Sequence, residues 1–262
     1  AGHAQNHQHS AGESSSSTAP PPHPSTLTFS LPFRSHSQHA NGSYRASALK
    51  LLGKLDATAL AEKAGLLVNG LRDSDARVRS VALEVLSQLR PEDLADHTAS
   101  LAGRLEDPAA AVRSAAVHTM EKLDKEVLEK HLPEVVGRLS DEDKDVRSAA
   151  VGTLFHKLEV TELASHVEKI VERIEDDDVG VRRSTALWAR SKLDPNLLGK
   201  HSAAIAGGLD DPILSVRRAS LEALALTDPT VLTKYAPLIV QRLSDEILSV
   251  RRAAVAALQR LY

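Results

Sequence analysis

The chain has 262 residues, 42% of them apolar, with a net charge of −3 and a pI near 6.5. That length can bury a substantial core, and that charge supplies no global positive field to draw in nucleic acid or anionic lipid. The absence of cysteine excludes disulfides, thiolate catalysis and cysteine-ligated metals, and no apolar run approaches the roughly 20 residues needed to span a bilayer. A soluble, intracellular protein is expected.

The chain opens on Ala1 and its only methionine is Met120, so it is expected to be a piece of something longer. Residues 1–43 hold ten serines, five prolines, six histidines and only two charged residues, Glu13 and Arg34. Such a composition cannot bury a core and predicts a disordered or extended N-terminal tail. Its serine content is similar to that of an organelle transit peptide, but those peptides are Arg-rich and Arg34 stands alone. Within it, Leu27, Phe29, Leu31 and Phe33 alternate with polar residues up to Pro32, a stretch suited to docking on a partner or over one end of the region that follows.

From residue 44 to 262 the sequence repeats. Val-Arg pairs stand at Val78, Val112, Val146, Val181, Val216 and Val250, at intervals of 34, 34, 35, 35 and 34 residues. One period upstream of Val78, Tyr44-Arg45 opens a half-repeat. After each valine, apolar or small residues recur at offsets of four, five, eight and eleven or twelve, the spacing of one helix face. A second periodic segment precedes each valine, for example Leu128, Leu132, Val135, Val136 and Leu139, and a short acidic turn separates the two. Each unit is therefore a helical hairpin that buries its apolar face only when neighbours stack on it.

Every turn places an aspartate six residues before the arginine: Asp73 and Arg79, Asp107 and Arg113, Asp141 and Arg147, Asp176 and Arg182, Asp211 and Arg217, Asp245 and Arg251. No copy carries the Trp-x-x-Leu-Gly-x-x-Tyr signature of tetratricopeptide repeats. The pattern resembles the HEAT repeat, which implies an all-α, right-handed superhelical α-solenoid of about six and a half HEAT-type hairpins. The resemblance also implies that these twelve residues form a structural ladder between repeats. An arginine close to the apolar face needs a carboxylate partner in any case.

His97, His131, His166 and His201 recur in register, with Lys63 and Tyr235 in the flanking copies. Helices in neighbouring repeats lie about 8–10 Å apart, whereas zinc holds its nitrogens at about 2 Å, so these histidines mark a polar structural position, read as near the start of the first helix. No metal and no cofactor is expected. Deoxyhypusine hydroxylase, a HEAT-type enzyme, holds iron through His-Glu dipeptides, and this chain has none. It also lacks a phosphate-binding loop and a nucleophile elbow, so no enzymatic activity is expected.

At 100° per residue, offsets two, six and nine after each valine point away from the apolar arc. They hold Arg183, Arg218, Arg252, Leu187, Phe155 and Arg190, with Trp188 at the border. These seven residues are the candidate partner-binding surface, because arginine and tryptophan dominate binding hot spots and arginines favour carboxylates or phosphates. The alternative is a solvated arginine face with Trp188 and Phe155 filling core space.

The expected function is a non-enzymatic protein-interaction scaffold or complex subunit, binding partners with an acidic or phosphorylated segment along a concave face. The apolar last helix, Ala253 to Leu258, implies further chain or a packed neighbour there. An alternative follows from Asp-Pro-x-x-x-Val-Arg at Asp107 and Asp211, which is similar to phycobilin lyases and implies an accessory factor holding a pigment or apoprotein. Nucleic-acid binding, known for HEAT-like glycosylases, is disfavoured by the net charge.

Overall fold

A computed structural model describes residue 2 and residues 41–261, the latter all within the unit Arg34–Tyr262. Leu27, Phe29, Leu31 and Phe33 lie outside the described residues. Residues 41–261 form helices joined by turns, with no strand among them. Seven second helices carry the array: α1 (Gly42–Leu52), α2 (Ala76–Leu86), α3 (Ala110–Met120), α4 (Lys144–Lys157), α5 (Val179–Lys192), α6 (Leu214–Leu224) and α7 (Leu248–Leu258). Each packs on the next along the whole series. This is a solenoid, with each repeat burying its face against its neighbours.

The apolar offsets are the core. Val78, Ala82, Leu83 and Leu86 are buried in α2, and their counterparts Val112, Ala116, Val117 and Met120 in α3. Side-chain caps start several of these helices: Asp75, Asp143 and Asp178 accept main-chain N–H bonds from the first turns of α2, α4 and α5. The two 35-residue intervals are explained by α4 and α5, which run to 14 residues where the other second helices have 11. The inserted residue lengthens the helix instead of the loop.

The first helices differ from expectation. In five repeats the segment is broken, and the break falls at Lys63, His97, His131, His166 and His201, with φ between −101° and −119° and ψ between −4° and 15°. This is the bridge region of backbone space, where a chain turns without continuing a regular helix. The recurrent histidine therefore sits at a mid-helix corner, not near the helix start. In the last repeat Tyr235 lies inside one unbroken helix, Pro229–Gln241, and its hydroxyl is 3.1 Å from Ser202 Oγ.

Candidate functional site

The turn aspartates and the arginines form rungs between successive repeats. Arg79 donates from Nε and Nη2 to both oxygens of Asp107, at 2.8 and 2.7 Å. The same two-pronged contact joins Arg113 to Asp141, Arg147 to Asp176 and Arg217 to Asp245, and Arg182 reaches Asp211 through Nε. The third nitrogen, Nη1, donates to the carbonyl of the aspartate six residues earlier in the same repeat. Each aspartate also accepts the main-chain N–H two residues on. One aspartate thus shapes its turn and clamps the preceding repeat. Arg251 makes the main-chain half of the pattern, to Asp245 and Glu246.

Two parts of this network do not follow from the aspartate–arginine spacing. Arg45 grips Asp73 at 2.7 Å and adds a rung, which the alignment of Tyr44-Arg45 with the Val-Arg pairs already signals. A second series, Arg104, Arg138, Arg173 and Arg242, stands three residues before four of the aspartates. Each donates from Nη1 to a carbonyl of the preceding repeat, at Leu71, Leu105, Leu139 and Leu209. The equivalent positions elsewhere are Gly70 and Gly208, where close packing leaves no room: a Cβ on Gly208 would lie 2.3 Å from Ser220 Oγ.

These contacts fix the carboxylates' acidity. Hydrogen bonds from Arg45 and Arg217 hold Asp73 and Asp245 below their ordinary value of 3.8. Burial pushes Asp107, Asp141 and Asp176 upward, but their arginine and main-chain hydrogen bonds outweigh it and the net shift is again downward. Asp75, paired with Arg77, falls to about 2. A carboxylate depressed in the folded state contributes stability that is complete above its unfolded pKa and is lost as pH falls through the folded one. The thermal midpoint is therefore expected to hold steady from about pH 7 to about pH 5 and to fall below about pH 4. A decline already under way between neutrality and about pH 5 in circular dichroism melts contradicts the ladder's role.

The candidate partner-binding residues divide. Arg183 and Arg252 are exposed and, among the described residues, form no ion pair. Arg218 and Arg190 are half-buried and share Glu222: Arg190 Nη1 is 2.8 Å from Glu222 Oε2, and Arg218 Nε is 3.6 Å from Glu222 Oε1. Leu187 is half-buried, as is Phe155, whose ring lies 5.2 Å from that of His156. Trp188 is a correction. It is fully buried at 0% exposure, so it fills core space and offers nothing to a partner. Offset seven is 700°, only about 20° short of two full turns, which aligns it with the buried valine.

Between α6 and α7 runs a groove of about 600 Å³ lined by Arg218, Glu222, Leu248, Ser249, Arg252 and alanines. The corresponding groove between α3 and α4, about 430 Å³, is lined instead by Ser114, His118, Asp143, Asp145 and alanines. The two linings differ in charge: two aspartates between α3 and α4, against two arginines and one glutamate between α6 and α7. Among the described residues no group of three histidine or acidic side chains could hold a metal ion, and no helix is long and apolar enough to cross a membrane.

Stacked hairpins joined by Arg–Asp rungs define a helical-repeat protein. Residues 98–190, which include α3, α4 and most of α5, match the family of HEAT repeats. Among solved structures, the chain is similar to a designed armadillo repeat protein in complex with the peptide (KR)4, at 19% identity and a TM-score of 0.58 over 76% of this chain and 100% of that one. It is also similar to computationally designed armadillo repeat proteins for modular peptide recognition, at 18% identity and a TM-score of 0.59 over 75% and 99%. An engineered protein aligns at 15% identity and a TM-score of 0.63 over 87% and 67%. No curated protein sequence matches significantly. At these identities the likeness concerns the fold.

Proposed function

We propose that the chain is a non-catalytic interaction scaffold whose second helices take up a partner protein through an acidic or phosphorylated segment at Arg183, Arg218 and Arg252. One observation carries this reading: three arginines stand in register on consecutive helices, and two of them have no ion-pair partner among the described residues. An unpaired guanidinium is a ready donor to carboxylate or phosphate. The structurally similar designed protein holds a basic peptide, and a face bearing arginine calls for the opposite charge.

Reversing the row with Arg183→Glu, Arg218→Glu and Arg252→Glu is expected to abolish capture of the natural partner while the thermal midpoint shifts by only a few degrees. Exposed charges contribute little to stability, on the order of 0–1 kcal/mol each. Undiminished capture by the reversed protein overturns the reading. A coloured small molecule retained by the purified protein, with no partner protein captured, would favour the pigment-holding accessory factor.

A further inference from the structure

Four residues before each of the three arginines, at the start of the same helix, stands an exposed apolar side chain: Val179 before Arg183, Leu214 before Arg218 and Leu248 before Arg252, at 42%, 43% and 52% exposure. Residues four apart share a helix face, separated along the axis by about 6 Å. Upstream, the same two positions hold Ala76 and Ser80, Ala110 and Ser114, and Lys144 and Ser148. A row of large apolar side chains and a row of arginines thus run side by side across α5, α6 and α7, where α2, α3 and α4 carry alanine or lysine at the first position and serine at the second.

We infer that the ligand of this face is an extended polypeptide segment with three acidic side chains at every third position and apolar side chains between them. The inference rests on the acidic-partner reading above and specifies its register. Packed helices repeat at about 8–10 Å. A polyproline-II chain rises about 3.1 Å per residue, so three residues advance about 9 Å and return to the same side. A β-strand alternates every two residues, about 7 Å, and falls out of step with the rows. A helical ligand about 10–12 Å across straddles two rows that are only about 6 Å apart. The extended segment sets carboxylates at i, i+3 and i+6 against the arginines while neighbouring apolar side chains meet Val179, Leu214 and Leu248, in closer step with the rows than a helix, whose facing side chains recur every seven residues or about 10.5 Å.

Glu222 regulates the middle of the row. Lying 3.6 Å from Arg218 and 2.8 Å from Arg190, it occupies the place a ligand carboxylate would take. A ligand carboxylate at Arg218 meets the like charge of Glu222, and neutralising Glu222 removes that repulsion.

Fluorescence anisotropy with the full chain tests this, using labelled synthetic peptides of one composition that differ only in glutamate spacing. The peptide with glutamates three apart is expected to bind about tenfold tighter than those with spacings of two or seven, a difference of about 1.4 kcal/mol. Glu222→Gln is expected to tighten that binding about threefold, and Leu248→Ser to weaken it by a similar factor. Equal binding of the isomers overturns the register and leaves the acidic-partner reading standing. Failure of every glutamate peptide and of the three-spaced peptide with phosphoserine in place of glutamate overturns both. Tighter binding of the seven-spaced peptide, or of a single-stranded oligonucleotide, replaces the extended segment with a helix or with nucleic acid.

Discussion

Asp141→Ala is expected to lower the thermal midpoint by about 10 °C. Asp141 is buried and accepts four hydrogen bonds from three partners: both prongs of Arg113 at 2.7 and 2.8 Å, Arg138 at 3.4 Å, and the N–H of Asp143 at 3.0 Å. The Arg113 side chain is only 7% exposed, so removing the carboxylate leaves its charge between repeats with one anionic partner, the largely exposed Glu142 at 3.3 Å. Breaking one side of a buried pair costs about 3–5 kcal/mol, and a domain of this size loses roughly 2–4 °C per kcal/mol. Asp141→Asn keeps an acceptor for the Asp143 N–H and is expected to lose about half as much. Asp177→Ala, at an 89% exposed side chain beside Arg147, is the control and is expected to cost under about 1 kcal/mol. Because each repeat touches only its neighbours, the Asp141→Ala melt should also broaden, with the α3–α4 junction opening first. A shift as small as the control's would mean the rungs are incidental.

The second large effect falls on Trp188. Its side chain is fully buried in α5, and truncation to alanine is expected to cost about 3–5 kcal/mol, the usual loss for a buried tryptophan. Trp188→Phe is expected to cost under about 1.5 kcal/mol. The indole Nε1 has no hydrogen-bond partner in its buried site, so the phenyl ring gives up volume but removes an unpaired donor. Denaturant melts of the two variants read this difference directly. If Trp188→Phe left stability intact but abolished partner capture, the tryptophan would belong to the binding surface after all.

The ladder and the hairpin boundaries were legible because six copies of one pattern cancel the noise that hides a single helix or turn. The aspartate six residues before each arginine named both partners of every rung except the first, where Tyr44 replaces the valine. The rung itself spans 28 or 29 residues, from one repeat to the next, and only the periodicity makes that pairing visible. Properties that depend on three-dimensional neighbours were not legible. Nothing in the residues around His97 or His201 announces that the helix corners there while continuing through Tyr235. Residue type alone leaves Trp188 open between the border of the arginine face and the core, and its offset of seven, beneath the valine, agrees with the core position the structure gives it. The apolar row at Val179, Leu214 and Leu248 escaped because it precedes the valine anchor. It points outward all the same, since two residues before the valine faces within about 40° of two residues after it.

If charge on the second helices selects the partner, a reciprocal charge swap reverses the selection. An acidic peptide and its lysine counterpart would each be titrated calorimetrically against the intact chain and against the chain with Arg183→Glu, Arg218→Glu and Arg252→Glu. The intact chain is expected to bind only the acidic peptide and the reversed chain only the basic one. Both affinities should weaken as salt shortens the reach of the charges to about 3 Å at 1 M. Equal binding of the acidic peptide to both chains would contradict selection by charge.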